Sequence, residues 1–250
     1  VKLVIVSPHL DDAAASLGAT IAALTAAEVN VVVATVCSLT GDARRVDEDL
    51  AAVTALGAEH VHLGLPDAPL RGYEETWSGL VDVVDDEAFA AQVYEALIPV
   101  VTGAMVWGPL GVGGHVDHRA TTQALWRLGC RTMYEERPYA RQTGAVRAAW
   151  QRRNAAIVDE VYPIDVDEAV AFLDHVGAPG RSEQRMPTLV MSQGIPLRRD
   201  RRAVSVAGRG RRLEALRRYA SQWPLLVDPS MTTGWPWDDE AEVLWRPDVH

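Results

Sequence analysis

Residues 2–12 read KLVIVSPHLDD. The apolar run 2–7 suits a short central strand buried on both faces. An Ala-rich stretch, 12–27, follows it as a predicted helix. Outward from this unit, strand and helix keep alternating. The pattern predicts a second strand at 29–37 (VNVVVATVC), a helix at 46–56 ending at Gly57 as its C-cap, and a third strand at 60–65. A helix at 88–102, a fourth strand at 104–107 (AMVW), a helix at 117–128 ending at Gly129 and a fifth strand at 131–135 complete the series. Such alternation implies an α/β, Rossmann-like, mostly parallel sheet with right-handed crossovers, strand order 3-2-1-4-5 and helices on both faces. Strands 1 and 4 then lie side by side and the chain leaves them in opposite directions. Ligands bind open α/β sheets at that point, beyond the carboxyl ends of the strands.

The chain of 250 residues reads as a single domain, 1–250, with a core at 1–140 and a less regular extension at 141–250. In the extension the pattern predicts helices at 142–156, 166–175 and 211–222, a strand at 160–164 and a loop-rich stretch at 179–210. The tail, with Trp235, Trp237 and Trp245, is expected to pack back onto the domain. The segment 66–87 is long for a connection and reads as a lid or binding loop.

The net charge of −10 argues against nucleic-acid binding, for which a basic surface is expected. The Arg-rich stretch 197–218 runs against that average and reads as a solvated loop and helix face. No apolar stretch approaches a membrane span, and no signal-peptide pattern precedes the first strand. Cys37 and Cys130 stand in no metal or redox spacing and read as reduced, buried thiols. A cytoplasmic location is the expectation.

Two motifs carry chemistry, and they follow the two strands that flank the expected pocket. The first is Ser7-Pro8-His9-Leu10-Asp11-Asp12, and the second is Gly113-Gly114-His115-Val116-Asp117-His118. A catalytic zinc ion takes three His or carboxylate ligands and keeps one position open. His9 and Asp12, three apart at a strand-to-helix junction, can converge on one point. Asp11 must then point elsewhere, beside the metal but not on it. There it can take a proton from a water whose pKa the metal has lowered. Either His115 or His118 supplies the third ligand. The other can stabilise an oxyanion and protonate the leaving amine, and Asp117 can orient an imidazole. Spacing alone does not assign these roles.

With Pro8-His9-Leu10-Asp11-Asp12 and His115-Val116-Asp117-His118 in place, residues 1–135 resemble the LmbE/PIG-L family of zinc-dependent N-deacetylases. The resemblance implies that His9, Asp12 and His118 hold Zn2+ and that Asp11 is the general base. It implies that His115 stabilises the tetrahedral intermediate with Asp117 as its partner. It also implies removal of an N-acetyl group from an N-acetylglucosaminyl or related amino-sugar conjugate. Many members carry Glu where this chain has Ala13, and Pro where it has Leu10; neither position is a ligand or the base.

Other residues carry less specific signals. Arg71, in the long loop, suits sugar hydroxyls or a phosphate and is expected to bind substrate; Asp67 is a weaker candidate. Arg45 and Glu48 read first as an exposed ion pair, and His60 and His62 as a packed or exposed pair on one strand face. Trp77, Trp235 and Trp237 can stack on a sugar but more simply pack. Gly111, Gly113 and Gly114 are expected to let the backbone approach substrate, with nearby N–H groups binding it. Competing functions are an amidase for another N-acyl group and a two-metal phosphoesterase built from His9, Asp11, Asp12, Asp42, Asp117 and His118. A dinucleotide-binding module lacks its G-x-G-x-x-G after strand 1.

Overall fold

A computed structural model describes residues 2–141, 159–163, 197–226 and 241–247 of the chain. The predicted helices at 142–156 and 166–175, and Trp235 and Trp237, lie outside them.

Strands β1 (Lys2–Ser7), β2 (Asn30–Thr35), β3 (Glu59–His62), β4 (Met105–Pro109) and β5 (Thr132–Tyr134) are parallel and run in the spatial order β3-β2-β1-β4-β5, as expected. The period of two along each central strand explains why the sheet is covered on both sides. Leu3 and Ile5 of β1, with Val31 and Val33 of β2, belong to one buried cluster; Val4, Val6, Val32 and Ala34 belong to the other. The first cluster is completed by α1 (Asp12–Ala26), α2 (Arg44–Ala55) and α6 (Val206–Leu216), the second by α4 (Glu87–Val101) and α5 (Val116–Arg127).

Helix α1 is buried along nearly its whole length because it is wedged between the sheet and α6. Its small residues make that approach possible. At Gly18 an added Cβ would sit 2.8 Å from Arg212 Cγ. Arg212 is fully buried and pairs with Glu242 at 3.2 Å. The same Glu242 carboxylate accepts the mid-helix amides of Ala19 (2.9 Å) and Thr20 (2.8 Å).

The extension corrects two expectations and bears out a third. The stretch expected as loop contains a strand, β7 (Leu197–Ala203). The helix expected at 211–222 is α6, which starts five residues earlier, and a short α7 (Trp223–Leu226) follows it. The tail does pack back: β8 (Ala241–Pro247) lies antiparallel between β5 and β7, and buries Trp245. With β6 (Asp159–Pro163) beside β7, the full order is β3-β2-β1-β4-β5-β8-β7-β6. In β7, inward positions are held by the buried pair Asp200–Arg202, so apolar alternation is missing where the strand runs. The long loop after β3 is not bare either. It carries a 3-10 turn at Ala68–Arg71 and a short α3 (Trp77–Val81).

Candidate active site

Both motifs leave the carboxyl ends of the neighbouring strands β1 and β4. Ser7 shapes the first: its hydroxyl donates to the His9 carbonyl at 2.6 Å and accepts the Ala13 amide at 3.0 Å. This small buried hydroxyl folds the turn that lifts His9 back over the start of α1. Asp12 then stands in the first turn of that helix, where the helix dipole favours a carboxylate.

Three atoms form a near-equilateral triangle. His9 Nδ1 lies 3.3 Å from Asp12 Oδ2, His118 Nε2 lies 3.2 Å from Asp12 Oδ2, and the two imidazole nitrogens are 3.2 Å apart. Tetrahedral ligands about 2.0–2.1 Å from a zinc ion are separated by roughly 3.3 Å. The triangle therefore fits a small divalent ion with one position left open.

The far ring nitrogen of each histidine meets a buried carboxylate. His9 Nε2 lies 2.9 Å from Asp117 Oδ2, and His118 Nδ1 lies 3.1 Å from Glu136 Oε1. Such partners fix a ligand's tautomer and orientation. Burial alone would lower the pKa of both imidazoles. The carboxylates Asp117 and Asp12 outweigh it at His9, raising it to about 9; Asp12 and Glu136 do so at His118, raising it to about 10. Burial also works against charge on Asp12, but His118 and His9 hold its carboxyl well below the usual range.

Asp11 occupies the N-cap position of α1 without capping it through its side chain. Among the described residues nothing hydrogen-bonds to its carboxylate. Burial, and then the adjacent Asp12 charge, push its pKa up. His115 stands at the N-cap of α5, and its Nδ1 accepts the Asp117 amide at 3.2 Å. A neutral imidazole held this way carries its proton on Nε2. Burial, followed by His9 and His118, lowers the His115 pKa to about 2. The three imidazoles lie together, with ring centroids 4.9–5.3 Å apart.

Several expectations are revised. Asp117 was expected beside His115, yet its carboxylate serves His9; only its backbone amide reaches His115. Arg71 was expected to contact substrate, but its guanidinium is taken up by Asp117 (2.7 Å), the Pro66 carbonyl (2.9 Å) and Asp86 (3.4 Å). The amides of Gly111 and Val112 do not face a substrate: with the Leu110 amide they converge on Glu136. The positive φ values at Gly111 and Gly113 let the chain curl that tightly, and a Cβ at Gly113 would strike the Tyr139 ring at 2.7 Å.

Arg45 and Glu48 do not pair with each other. Glu48 accepts the Ser221 amide and hydroxyl, whereas Arg45 faces Asp67 at 3.9 Å. Arg45 Nε and Asp67 Oδ1 are buried without hydrogen-bond partners among the described residues. His62 and His60 meet edge to face with ring centroids 5.1 Å apart, and His62 pairs with the buried Asp49 at 2.8 Å. Asp42, needed for a second metal, is turned onto Arg44 at 2.7 Å. Sequence reasoning missed Glu136. Its signal was the acidic Glu135-Glu136 pair just beyond β5, at the same edge of the sheet as both motifs.

A sequence model of the family described as PIG-L, GlcNAc-PI de-N-acetylase, matches residues 4–128. The chain is also 31% identical over 193 residues to 2'-N-acetylparomamine deacetylase of Streptomyces fradiae, covering 68% of each protein. The chain belongs to the PIG-L family. It is accordingly an N-deacetylase, a hydrolase of amide bonds, in a family whose members depend on a metal ion. Among solved structures, this PIG-L chain is similar in fold to the zinc-inhibited form of teicoplanin deacetylase, with a TM-score of 0.66 at 20% identity over 100% of both chains. It is similar also to A40926 pseudoaglycone deacetylase, with a TM-score of 0.61 at 21% identity over 99% of this chain and 98% of that one. Among the described residues, no helix is long and apolar enough to cross a membrane.

Proposed function

We propose that this chain removes the N-acetyl group from an amino sugar within a larger conjugate, using Zn2+ held by His9, Asp12 and His118. The observation that carries the reading is the triangle of ligand atoms 3.2–3.3 Å apart with the unpartnered Asp11 carboxylate beside it. When bound, the ion would act as a Lewis acid toward the amide carbonyl and lower the pKa of the attacking water. Asp11 takes the proton of that water as it adds to the carbonyl carbon. The Nε2–H of His115 donates to the carbonyl oxygen as negative charge gathers there. Asp11, now protonated, then delivers that proton to the departing amine, and acetate and the free amino sugar result.

Arg45 and Asp67 suit the sugar. Their unpartnered buried atoms, one donor and one acceptor, match the mixed demands of ring hydroxyls. Similarity to an N-acetylparomamine deacetylase favours an aminoglycoside-like or N-acetylglucosaminyl conjugate. We also propose that residues 1–250 act as one unit, which the shared sheet of β5, β8 and β7 supports. A cytoplasmic location accords with Cys37 and Cys130 being buried thiols.

The test is acetate release from a panel of N-acetylated amino-sugar conjugates, by zinc-loaded and chelator-treated protein. Release that requires zinc supports the reading and ranks the conjugates. No release from any member, by protein with one zinc bound, overturns the N-acetyl assignment and points to another acyl group.

A further inference from the structure

The two carboxylates behind the metal-facing histidines are held in different ways. Glu136 is fixed by three backbone amides. Asp117 is fixed by one four-residue turn: Ala68, at its start, gives its amide to Oδ2 at 3.0 Å, and Arg71, at its end, gives its guanidinium to Oδ1 at 2.7 Å. The guanidinium is itself oriented. It stacks 3.6 Å from the Phe89 ring of α4, and its Nε faces Asp86, which also accepts the Tyr73 hydroxyl at 3.0 Å. Asp117 is fully buried, so without this cation its charge would have only the His9 imidazole and the Ala68 amide to answer it.

We propose that Arg71 is a positioning residue: through Asp117 it holds His9 in the metal-binding tautomer, and so ties metal affinity to the seating of the turn Ala68–Arg71. The inference rests on the reading of His9 as a metal ligand. The loop at 66–87 also carries Asp67, which faces Arg45 in the pair assigned above to the sugar. Its turn therefore touches both the substrate side and the outer side of the metal centre. Lysine is a poor substitute, since a single ammonium cannot reach Asp117, the Pro66 carbonyl and Asp86 in one plane.

The experiment measures Zn2+ affinity by chelator competition, and the visible spectrum of the Co2+-substituted protein, for wild type, Arg71→Met, Arg71→Lys and Arg119→Met. Arg119 clasps the same loop through the carbonyls of Val81 and Val83, also holds the Gly114 carbonyl of the second motif, and makes no hydrogen bond or ion pair with Asp117 among the described residues. Arg71→Met should weaken Zn2+ binding by about 10–100-fold and shift the Co2+ bands, as loss of such outer partners does. Arg71→Lys should recover only part of the loss, and added guanidinium, well below unfolding concentrations, should restore affinity in Arg71→Met. Arg119→Met should bind Zn2+ as wild type does. Wild-type affinity and spectrum in Arg71→Met would overturn the proposal, as would an equal loss in Arg119→Met, which would assign the effect to loop order. If Arg71→Met does not fold, Arg71→Lys decides the matter by the same two readouts. Failure of the wild type to bind either ion would instead remove the metal-centre reading itself.

Discussion

Glu136 Oε1 lies 3.1 Å from His118 Nδ1 while the same carboxylate gathers the amides of Leu110, Gly111 and Val112. One side chain thus orients a metal-facing imidazole and closes the curl that follows β4. Glu136→Gln places an amide NH2 or a single carbonyl where up to four donors converge. Metal affinity should fall by about 10–100-fold, and stability by about 1–3 kcal/mol for the donors left unanswered. Chelator competition and thermal melts read the two effects separately.

Asp11 is the group assigned to take the proton of water, and it is no part of the ligand triangle. Asp11→Asn should therefore retain stoichiometric zinc while acetate release drops by about 10²–10⁴-fold. Zinc content by elemental analysis beside a turnover assay checks this. Near-wild-type turnover would show that another group is the base.

The metal-free protein should respond to pH through His9 and His118. Their pKa values in the fold are raised from 6.5 to about 9 and about 10. A raised folded pKa gives stability that is fully present below the unfolded value and is lost as pH climbs through the folded one. The melting temperature of chelator-treated protein should thus fall as pH rises from about 6.5 towards 10. A divalent ion competes with the same protons, so its binding strengthens over that range. The gap between zinc-loaded and metal-free melting temperatures should widen with pH. A gap that narrows would contradict this protonation scheme.

Gly18→Ala tests the close approach of α1 and α6. The new Cβ would lie 2.8 Å from Arg212 Cγ, an atom near the base of a side chain anchored by Glu242. Overpacking of this kind costs about 1–3 kcal/mol. The melting temperature should drop while the zinc stoichiometry of the folded protein stays at one.

The fold of the first half is legible because β1 and β2 are apolar runs and the helices α2, α4 and α5 run out into Gly57, Gly103 and Gly129. The order of five strands and both ends of the pocket followed from that. The ligand set was narrowed by the spacing of His9, Asp12 and His118 and assigned by family resemblance. What stayed hidden depends on distance in sequence. Glu136 carries no spacing signal relative to His118, because the two meet only when β5 lies beside β4. Arg71 has the composition of a sugar-binding residue, and only its buried partners show that its donors are already engaged. β7 escapes a periodicity reading because Asp200 and Arg202 fill inward positions that such a reading reserves for apolar residues.

The placement of β8 bears on how the polypeptide is made. Glu135 accepts the Trp245 indole, Arg137 donates to the Ala241 carbonyl, and Glu242 reaches the middle of α1. Residues that flank or adjoin Glu136 thus wait for partners more than a hundred positions downstream. A ribosome that has translated both histidine motifs has not yet delivered the strand that secures the neighbourhood of His118. The finished geometry around His118 is therefore completed late in synthesis, after emergence of 241–247 rather than with translation of the motifs themselves.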